Sequence, residues 1–210
     1  LGTGSTRSDG YGLSLYDNSV ARDIISRDNG YGGVTLYNSA RLEDSLIFGN
    51  ADRNVDVNGA NTVIGNVVHS GPRGIVQQGG GALTTENRVF GHSTYGIFVD
   101  RGTVSRNQVY SNPIGLWLGN SFSDSGTVRN NVVYANTNTG IYVQQGRFTI
   151  VSNTVSHAVG AALNIVRGDV TGRIQSNILV TEQGSVVDMD AAGFDSGLTG
   201  THNLIHRALP

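Results

Sequence analysis

The 210-residue sequence contains no cysteine and no lysine, so all 14 of its basic residues are arginine. Without lysine the chain has no side-chain amine for a Schiff-base mechanism or for a lysine general base. Without cysteine it has neither disulfide bonds nor thiolate ligands for zinc. Because cysteine-free proteins occur both outside cells and in the cytosol, this absence alone does not indicate a compartment.

Long apolar runs and a strong excess of one charge are also missing. No apolar segment approaches the roughly 18 residues needed to span a bilayer, so membrane insertion is not expected. The formal net charge is −2, which does not support the broad positive surface that nucleic-acid binding requires. The repeats described below are cut at both ends, which predicts that the chain is a piece of a longer protein.

The sequence is rich in glycine, with 30 residues. It also contains a recurring pair, an Asn or Asp followed two residues later by a large aliphatic residue. Successive copies of this pair are 20 to 26 residues apart. Self-similarity at such a period is the signature of a solenoid. The polar positions are Asp23, Asp44, Asn66, Asn87, Asn107, Asn131, Asn153, Asn177 and Asn203.

Each repeat contains apolar positions that predict three short strands. The first strand opens with glycine, as in Gly12-Leu13-Ser14-Leu15, and its strict alternation indicates a half-buried strand. A second strand precedes the Asn or Asp, and a third strand follows it and turns its aliphatic residue inward. The apolar residues three positions before the Asn or Asp are Val20, Val63, Val104, Val128, Ile150 and Ile174. Two coils instead have Arg41 and Thr84 there, with Leu42 and Leu83 one residue away.

Three short parallel strands per turn predict an all-β fold, a right-handed parallel β-helix of eight to nine coils that forms a single domain over residues 1–210. The Asn or Asp of each coil lies at a corner in this fold. Asn tolerates left-handed backbone, and its amide can bond to the Asn of the coils above and below. The nine polar positions are therefore predicted to form an internal ladder.

One inward position of the first strand carries an amide instead of an aliphatic side chain. Gln77 stands where other coils have Val or Leu, and a buried amide needs hydrogen-bonding partners. Two interpretations stay open. Gln77 joins a local hydrogen-bond network, or the Gly79-Gly80-Gly81 run distorts the coil so that Val76 turns inward.

The Gly-aliphatic-x-aliphatic and Asn-x-aliphatic coils, from about Gly10 to Arg207, resemble the right-handed β-helix superfamily of pectate lyases, polygalacturonases, alginate lyases and mannuronan C5-epimerases. The resemblance implies the fold and a polysaccharide partner lying along the outer face of the first strand. Several signatures of these enzymes are absent, namely Asn-Thr-Asp, Asp-Asp and Gly-His-Gly, Asp-Pro-His, and Arg-x-Pro-x-x-Arg. The resemblance therefore indicates a binding face and does not indicate a reaction.

Aromatic and polar side chains occupy the outward positions of the predicted first strands. Rings stack on the apolar faces of sugars, while amides and acids bond to sugar hydroxyl groups. The alternative is that tyrosine and tryptophan are ordinary strand-forming residues on a solvated sheet. The candidate substrate-binding residues are Tyr16, Tyr37, Asp56, Asn58, Gln78, Phe98, Asp100, Trp117, Tyr142 and Gln144.

A second group of residues suits the chemistry of a uronan lyase or epimerase. Such an enzyme needs a cation against the uronate carboxylate and a group that moves the proton from C5. Arg73 or Arg101 suits the first task, and His92, His69 or Tyr95 suits the second. The corner before the first strand is expected to bring His69 and Arg73 near His92 and Tyr95. The alternative is a set of solvated polar corner residues.

No metal or cofactor is expected from the spacing of the potential ligands. Asp56 and Asp100 lie two predicted coils apart, about 9 to 10 Å, too far to share a Ca²⁺ ion whose oxygen ligands lie at roughly 2.3 to 2.6 Å. A denser acidic cluster at Asp188, Asp190 and Asp195 offers a calcium site as the alternative. The competing interpretation of that cluster is a set of ordinary acids at a sheet edge.

These patterns favour an extracellular or cell-surface β-helix that binds a polysaccharide, and they leave open whether this face is part of a uronan lyase or epimerase. The competing hypothesis is a non-catalytic spacer or adhesin stalk of a large surface repeat protein, which the short corners and missing enzyme motifs also favour. The expected partner is a polysaccharide, without nucleic acid. Unpaired strand edges at the ends of a β-helix also favour end-to-end self-association.

Overall fold

The computed structural model describes residues 10–166, 169–189 and 197–208, which form 25 β-strands. The strands wind in nine coils, and each coil contributes one strand to each of three faces. Neighbouring coils pair through parallel strands. The predicted all-β solenoid of eight to nine coils is thereby confirmed.

Each face is a ladder of nine strands along the helix axis. The first face contains Tyr11–Leu15, Gly32–Tyr37, Arg53–Asn58, the C-terminal parts of Val67–Gln77 and Arg88–Val99, Ile114–Leu118, Thr139–Val143, Ala161–Ile165 and Val187–Met189. The second face contains Val20–Arg22, Arg41–Glu43, Thr62–Ile64, Leu83–Thr85, Arg101–Ser105, Ser125–Arg129, Arg147–Val151, Thr171–Gln175 and Leu198–Thr201. The third face contains Ile25–Arg27, Leu46–Phe48, the N-terminal parts of Val67–Gln77 and Arg88–Val99, Gln108–Tyr110, Val132–Tyr134, Thr154–Val159, Ile178–Gln183 and Leu204–Arg207.

Two long strands, Val67–Gln77 and Arg88–Val99, run from the third face through a corner into the first face. These two faces therefore share one hydrogen-bonded sheet, while the second face is a separate nine-stranded sheet. Side chains before and after the corner point to different sides of the molecule, even when they are only four residues apart. This bend decides which of the candidate site residues can meet.

Aliphatic side chains fill the tube that the three faces enclose. Ile75, Ile97, Leu116 and Ile141 follow one another in consecutive coils of the first face and are fully buried. Each coil covers the apolar surface of the next, so the coils stabilise one another by stacking.

The predicted Asn ladder lies at the corner between the second and third faces and is confirmed for its seven Asn residues. Asn107 is fully buried, and its backbone N–H and its Nδ2 group both donate to Oδ1 of Asn131 at 3.0 Å. Its Nδ2 group also donates to the backbone oxygen atoms of Thr84 and Ser105. The same link joins Asn66, Asn87, Asn107, Asn131, Asn153, Asn177 and Asn203.

The ladder prediction is wrong for Asp23 and Asp44, which lie one residue before the ladder position. Both are exposed and have left-handed backbone, with φ angles of 53° and 45°. The ladder positions of their coils are held by Ile24 and Ser45, which are linked to each other through the Ser45 hydroxyl. A carboxylate inside the buried ladder would lack a compensating cation, whereas Asp tolerates an exposed left-handed position.

The same one-residue shift changes which neighbours point inward in the first two coils. Ile25 is 68% exposed, and Ser26 takes the buried position of its strand. On the second face Val20 is exposed and Ala21 is buried, while Leu42 lies in register with Ala21. In these coils the inward positions therefore lie one residue later in the sequence than the Asn or Asp spacing predicts.

Gln77 keeps its inward orientation and is fully buried, in register with Val57. Its Nε2 group donates to the backbone oxygen of Arg101 at 2.6 Å, and its Oε1 atom accepts from the Thr84 hydroxyl at 2.7 Å. Thr84 lies in register with Val63 and is also fully buried. The hydrogen-bond interpretation of Gln77 is therefore confirmed. Gln77 and Thr84, the two polar side chains at inward positions where other coils have aliphatic residues, form a hydrogen bond with each other.

A second ladder, which was not predicted from the sequence, lies at the corner between the third and first faces. Within it, Nε2 of His92 accepts from Nδ2 of Asn54, and Nδ1–H of His92 donates to Oδ1 of Asn112, each at 3.0 Å. The Oδ1 atom of Asn112 can only accept, so Nδ1 of His92 carries a proton. Because Nε2 accepts from Asn54 and carries no proton, His92 is neutral. Burial lowers the pKa of His92 to about 4. The ladder runs through Asn29, Asn50, Asn54, His92, Asn112 and Asn136.

We expect the free energy of unfolding to fall less between neutral pH and mild acid in the His92→Asn protein than in the wild type. The folded protein keeps His92 neutral down to a pKa of about 4, whereas the unfolded chain takes up this proton near 6.5. As the pH falls through this window, the folded state loses about 3 kcal/mol relative to the unfolded chain. Asn is the residue at this position of the following coil, as Asn112, and does not titrate. Urea unfolding near pH 7 and near pH 4.5 measures the difference.

The exposed His206→Asn substitution is the matched control and is expected to leave the pH dependence unchanged. If His92→Asn also leaves it unchanged, the buried and neutral assignment of His92 is wrong.

Candidate functional site

The outward side chains of the first face form columns along the helix axis, because the strands pair in register. Adjacent coils are about 4.8 Å apart, so residues distant in sequence become neighbours. One column, in coils 3 to 7, contains Asp56, Val76, Phe98, Trp117 and Tyr142. The column beside it contains Arg53, Arg73 and Tyr95 in coils 3 to 5.

Four rings of these columns, Tyr95, Phe98, Trp117 and Tyr142, form an aromatic cluster. The Trp117 ring lies 5.6 Å from Tyr95 and 5.2 Å from Tyr142, with interplanar angles of 74° and 77°. Tyr95 and Phe98 pack with Val76 outside the main core. Because the rings meet edge to face, their broad faces are not all covered by one another, and a ligand ring can stack on the cluster.

The residues beside the aromatic cluster form a charge network of Tyr11, Asp52, Arg53, Asp56 and Arg73. The Tyr11 hydroxyl donates to Oδ2 of Asp56 at 2.6 Å and spans two coils. Arg53 donates from Nε to Asp52 at 2.9 Å and from Nη1 to Asp56 at 3.4 Å. Burial and the hydrogen bond to Asp56 raise the pKa of the Tyr11 hydroxyl, so it stays protonated. The network orders two arginines at one edge of the aromatic cluster.

Arg73 is the more available of the two cations. Its side chain is 38% exposed, against 14% for Arg53, and its ion pair is a single contact of 3.4 Å with Asp52. Arg53 contacts two carboxylates and lies over the ring of Tyr31. The free donors of the Arg73 guanidinium therefore face solvent, where a ligand carboxylate can accept them.

A cavity of about 220 Å³ lies between the charge network and the aromatic cluster. It presents a cation, aromatic rings and two amide side chains, Gln78 and Asn120, on the same surface. This combination suits a ring-shaped ligand that carries hydroxyl groups and a negative charge. The lining residues are Arg53, Arg73, Val76, Gln78, Tyr95, Phe98, Trp117 and Asn120.

Tyr95 lies beside Arg73 in the pairing of the two long strands. Burial raises the pKa of the Tyr95 hydroxyl, and the nearby Arg73 opposes this shift. Tyr95 is therefore uncharged at neutral pH. In this state it donates a hydrogen bond to a ligand and is a weak acceptor for a proton.

The structure brings two of the five candidate catalytic residues together, Arg73 and Tyr95. His92 is buried in the second ladder, where the residue is 3% exposed and its ring contacts protein on both sides. His69 lies on the outer third face, and Arg101 lies at the edge of the second face, donating to Ser123 at 3.0 Å. The expected meeting of both histidines with Arg73 does not occur, because the strand bends between His69 and Arg73.

The candidate substrate-binding residues all lie on the outer first face or at its edge. Phe98, Trp117 and Gln78 line the cavity, and Gln144 accepts the indole N–H of Trp117 at 3.1 Å. The remaining residues lie toward the two ends of the face. Tyr142 completes the aromatic cluster, Asp56 belongs to the charge network, Asn58 donates to Thr35, and Tyr16 and Tyr37 stack on each other at 5.0 Å.

Asp100 forms a carboxyl pair with Asp124, a residue that the sequence did not single out. Asp124 caps its own loop, with Oδ2 accepting the backbone N–H groups of Asn120 and Ser121 at 2.8 Å. Burial, together with the adjacent Asp124 carboxyl, raises the pKa of Asp100 to about 7. Asp100 therefore holds a proton below about pH 7. Asn120 of this loop lines the cavity, so the carboxyl pair lies next to the cavity through Asp124.

A second aromatic array lies on the outer third face and was also not predicted. The ring of His69 stacks between Phe48 and Phe90, with centroid distances of 4.8 and 5.1 Å and interplanar angles of 6° and 14°. Tyr110 and Tyr134 continue the stack. The inner rings of this array cover one another's faces, so the array supports the coils and the faces of these inner rings are closed to a sugar.

The acidic cluster near the C-terminal end is only partly described. Asp188 lies on the first face in register with Asn164, and Asp190 and Asp195 lie outside the described residues. Within residues 10–166, 169–189 and 197–208, no group of three or more acidic or histidine side chains is arranged to hold a metal ion. In the same ranges, no helix has the length and apolar character needed to cross a membrane.

We expect the fluorescence of Trp117, the single tryptophan, to titrate with a midpoint near pH 7. Above this pH Asp100 is charged, and its repulsion by the adjacent Asp124 displaces the loop that follows Trp117. Asn at position 124 still accepts the backbone N–H groups and donates to Asp100 at every pH. The Asp124→Asn substitution should therefore abolish the transition between about pH 5.5 and pH 8.5.

Asp17→Asn, at an exposed turn of the first coil, serves as the control and should retain the transition. A transition of the same midpoint and size in Asp124→Asn would show that the transition does not arise from Asp100 beside Asp124.

Solved structures similar to this one include two β-helix proteins. The A-module of mannuronan C-5 epimerase AlgE6 from Azotobacter vinelandii has a TM-score of 0.69 and 16% sequence identity, with 89% of this chain and 63% of that chain covered. Pectate lyase Pel9A has a TM-score of 0.63 and 16% identity, with 93% of this chain and 55% of that chain covered. The chain thus spans less than two thirds of either protein, and likeness at this identity shows the fold alone.

No curated protein sequence gives a significant match. The family described as "Right handed beta helix region" matches residues 11–179, which is most of the chain. This match and the structural neighbours confirm the handedness and the superfamily resemblance that the coil motifs predicted. The chain therefore belongs to the right-handed β-helix family.

Proposed function

We propose that the outer first face binds a uronate-containing polysaccharide, with one sugar ring in the cavity. The observation that carries this proposal is the position of Arg73 beside the aromatic cluster, on one open surface. An aromatic cluster alone would suit a neutral sugar, and an arginine alone would suit any anion. Their combination favours a sugar that bears a carboxylate.

The sugar ring stacks on the aromatic cluster, where Trp117 offers the largest apolar surface. Its carboxylate faces Arg73, whose single long contact with Asp52 leaves guanidinium donors unused. Gln78 and Asn120 are placed to bond to hydroxyl groups. Each polar group of the bound sugar thus has a partner of matching chemistry.

A polymer lying along the helix axis reaches beyond the cavity. Tyr142 and Gln144 extend the surface on one side, and Tyr16 and Tyr37 lie further away on the other side. Repeated coils supply repeated contacts, as a chain of repeated sugars requires. The names of both similar structures denote enzymes of mannuronan and of pectate, which supports a polysaccharide ligand. Such polymers lie outside cells, so the proposal includes an extracellular or cell-surface location.

The proposed role is binding, without a reaction. Arg73 and Tyr95 would be the cation and the proton-transferring group of a lyase or epimerase. However, the raised pKa of Tyr95 keeps its hydroxyl protonated, and the two histidines lie elsewhere. We therefore assign Arg73 and Tyr95 to ligand contact.

Calorimetry with oligogalacturonate and oligoalginate tests the proposal, with a neutral glucan oligomer as the reference ligand. We expect Trp117→Ala and Arg73→Gln each to weaken uronate binding about tenfold or more, because one removes the stacking surface and the other the charge-assisted hydrogen bonds. Added salt should weaken binding by the wild type and should matter less for Arg73→Gln.

Tyr134→Ala and Arg88→Gln on the outer third face provide an aromatic and a cationic control. Both should bind uronates as the wild type does. If the wild type binds no uronate oligomer, or if Trp117→Ala and Arg73→Gln bind like the controls, the binding proposal fails and the structural spacer is the better hypothesis. Ultraviolet absorbance of unsaturated products, followed in the same samples, tests for lyase activity.

A further inference from the structure

A second polar groove, separate from the candidate site, lies on the outer second face in coils 7 to 9. Its volume is about 590 Å³, and none of its lining residues is acidic. The strands that form it are Arg147–Val151, Thr171–Gln175 and Leu198–Thr201. The lining residues are Arg147, Thr149, Thr171, Gly172, Arg173, Gly197 and Thr199.

The register of these strands places arginine and threonine side chains next to one another. Arg147 pairs with Thr171, and Thr149 pairs with Arg173, so the two arginines lie on a diagonal across adjacent coils. Arg173 pairs in turn with Thr199 of the last coil. Each guanidinium group thus has a threonine hydroxyl in the neighbouring coil, on the same outward side of the sheet.

Other arginine clusters on the surface have a different composition. Arg22 and Arg41 of the second face both pair with Glu43, which lies opposite Arg22 and two residues after Arg41 in the same strand. On the first face Arg53 and Arg73 share Asp52. In these clusters an acid of the protein itself balances the cations.

The groove of Arg147 and Arg173 has hydroxyl groups in the places where the other clusters have acids. Within the described part of the chain, neither arginine forms an ion pair. Guanidinium groups and hydroxyl groups together donate several hydrogen bonds in directions that suit the oxygen atoms of carboxylate, sulfate or phosphate. Among the described residues, none balances the positive charge of this groove, so a bound anion can balance it.

We propose that Arg147 and Arg173, with the hydroxyl groups of Thr149, Thr171 and Thr199, form a binding site for an oxyanion group. The groove lies on the surface of the sheet, so it admits a free anion and also an anionic group carried by a polymer. It belongs to a different face from the aromatic cluster and does not depend on the proposed function of the first face. A ligand at this site contacts three coils and links them across the outside of the sheet.

Three probes test the site at constant ionic strength: inorganic sulfate, inorganic phosphate and an oligogalacturonate. Binding is measured by calorimetry and by the shift in melting temperature. To remove any contribution of the first face, the measurements use the full chain carrying Trp117→Ala and Arg73→Gln. We expect at least one probe to bind this protein, and the probe that binds most tightly identifies the anionic group.

Adding Arg147→Gln and Arg173→Gln should weaken the binding of that probe at least tenfold. Thr171→Val, which removes one hydroxyl and keeps the shape and charge, should weaken it by a smaller factor. Arg129→Gln is the matched control, since Arg129 lies on the same face outside the groove. Absence of binding by all three probes, or equal binding after the two arginines are replaced, would overturn the proposal.

Discussion

The hydrogen-bond register between adjacent parallel coils is the constraint on which this structure depends. A one-residue slip would move the inward side chains of a strand to the outer surface, because successive side chains alternate between the two sides of a sheet. The Asn ladder opposes such a slip. Each buried Asn meets the backbone and side-chain donors of its neighbour, and a slip would leave these groups without partners, at a cost of about 1 to 3 kcal/mol for each group. The ladder and the apolar column therefore specify the same register.

The sequence was sufficient to predict the fold, because the apolar positions and the Asn positions recur together from Asn66 to Asn203. It was misleading where an acid replaces the amide. Asp44 has the spacing of a ladder residue, but its charge favours the exposed position one residue earlier than Ser45. The second ladder was hidden because a histidine, His92, stands in it. The partner of Gln77 could not be predicted, because Gln77 and Thr84 lie on different faces and meet only when these faces pack together.

The candidate site was less predictable than the fold, for a geometric reason. The list of outward positions of the first strand included Phe98 and Trp117, which line the cavity, because such a list requires only the period of a strand. Finding catalytic partners required knowledge of the corner, and the long bent strand separates His69 from Arg73. Asp124 belongs to a loop whose path has no periodic signal, so its contact with Asp100 appears only in three dimensions. What remains is a surface in which a shared register brings a cation and aromatic rings from separate coils together.

The register is tested most directly by disulfide cross-linking, because the natural sequence has no cysteine to interfere. In the structure Arg41 lies opposite Thr62 on the outer second face, whereas the spacing of the Asp and Asn repeats would pair Arg41 with Val63. The Arg41→Cys/Thr62→Cys protein should form an intramolecular disulfide under mild oxidation, since paired residues of adjacent strands lie within disulfide range. The Arg41→Cys/Val63→Cys protein should stay reduced, because its two side chains point to opposite sides of the sheet. Cross-linking of the second pair and not of the first would contradict the register that puts Ser45 in the ladder and Asp44 outside it.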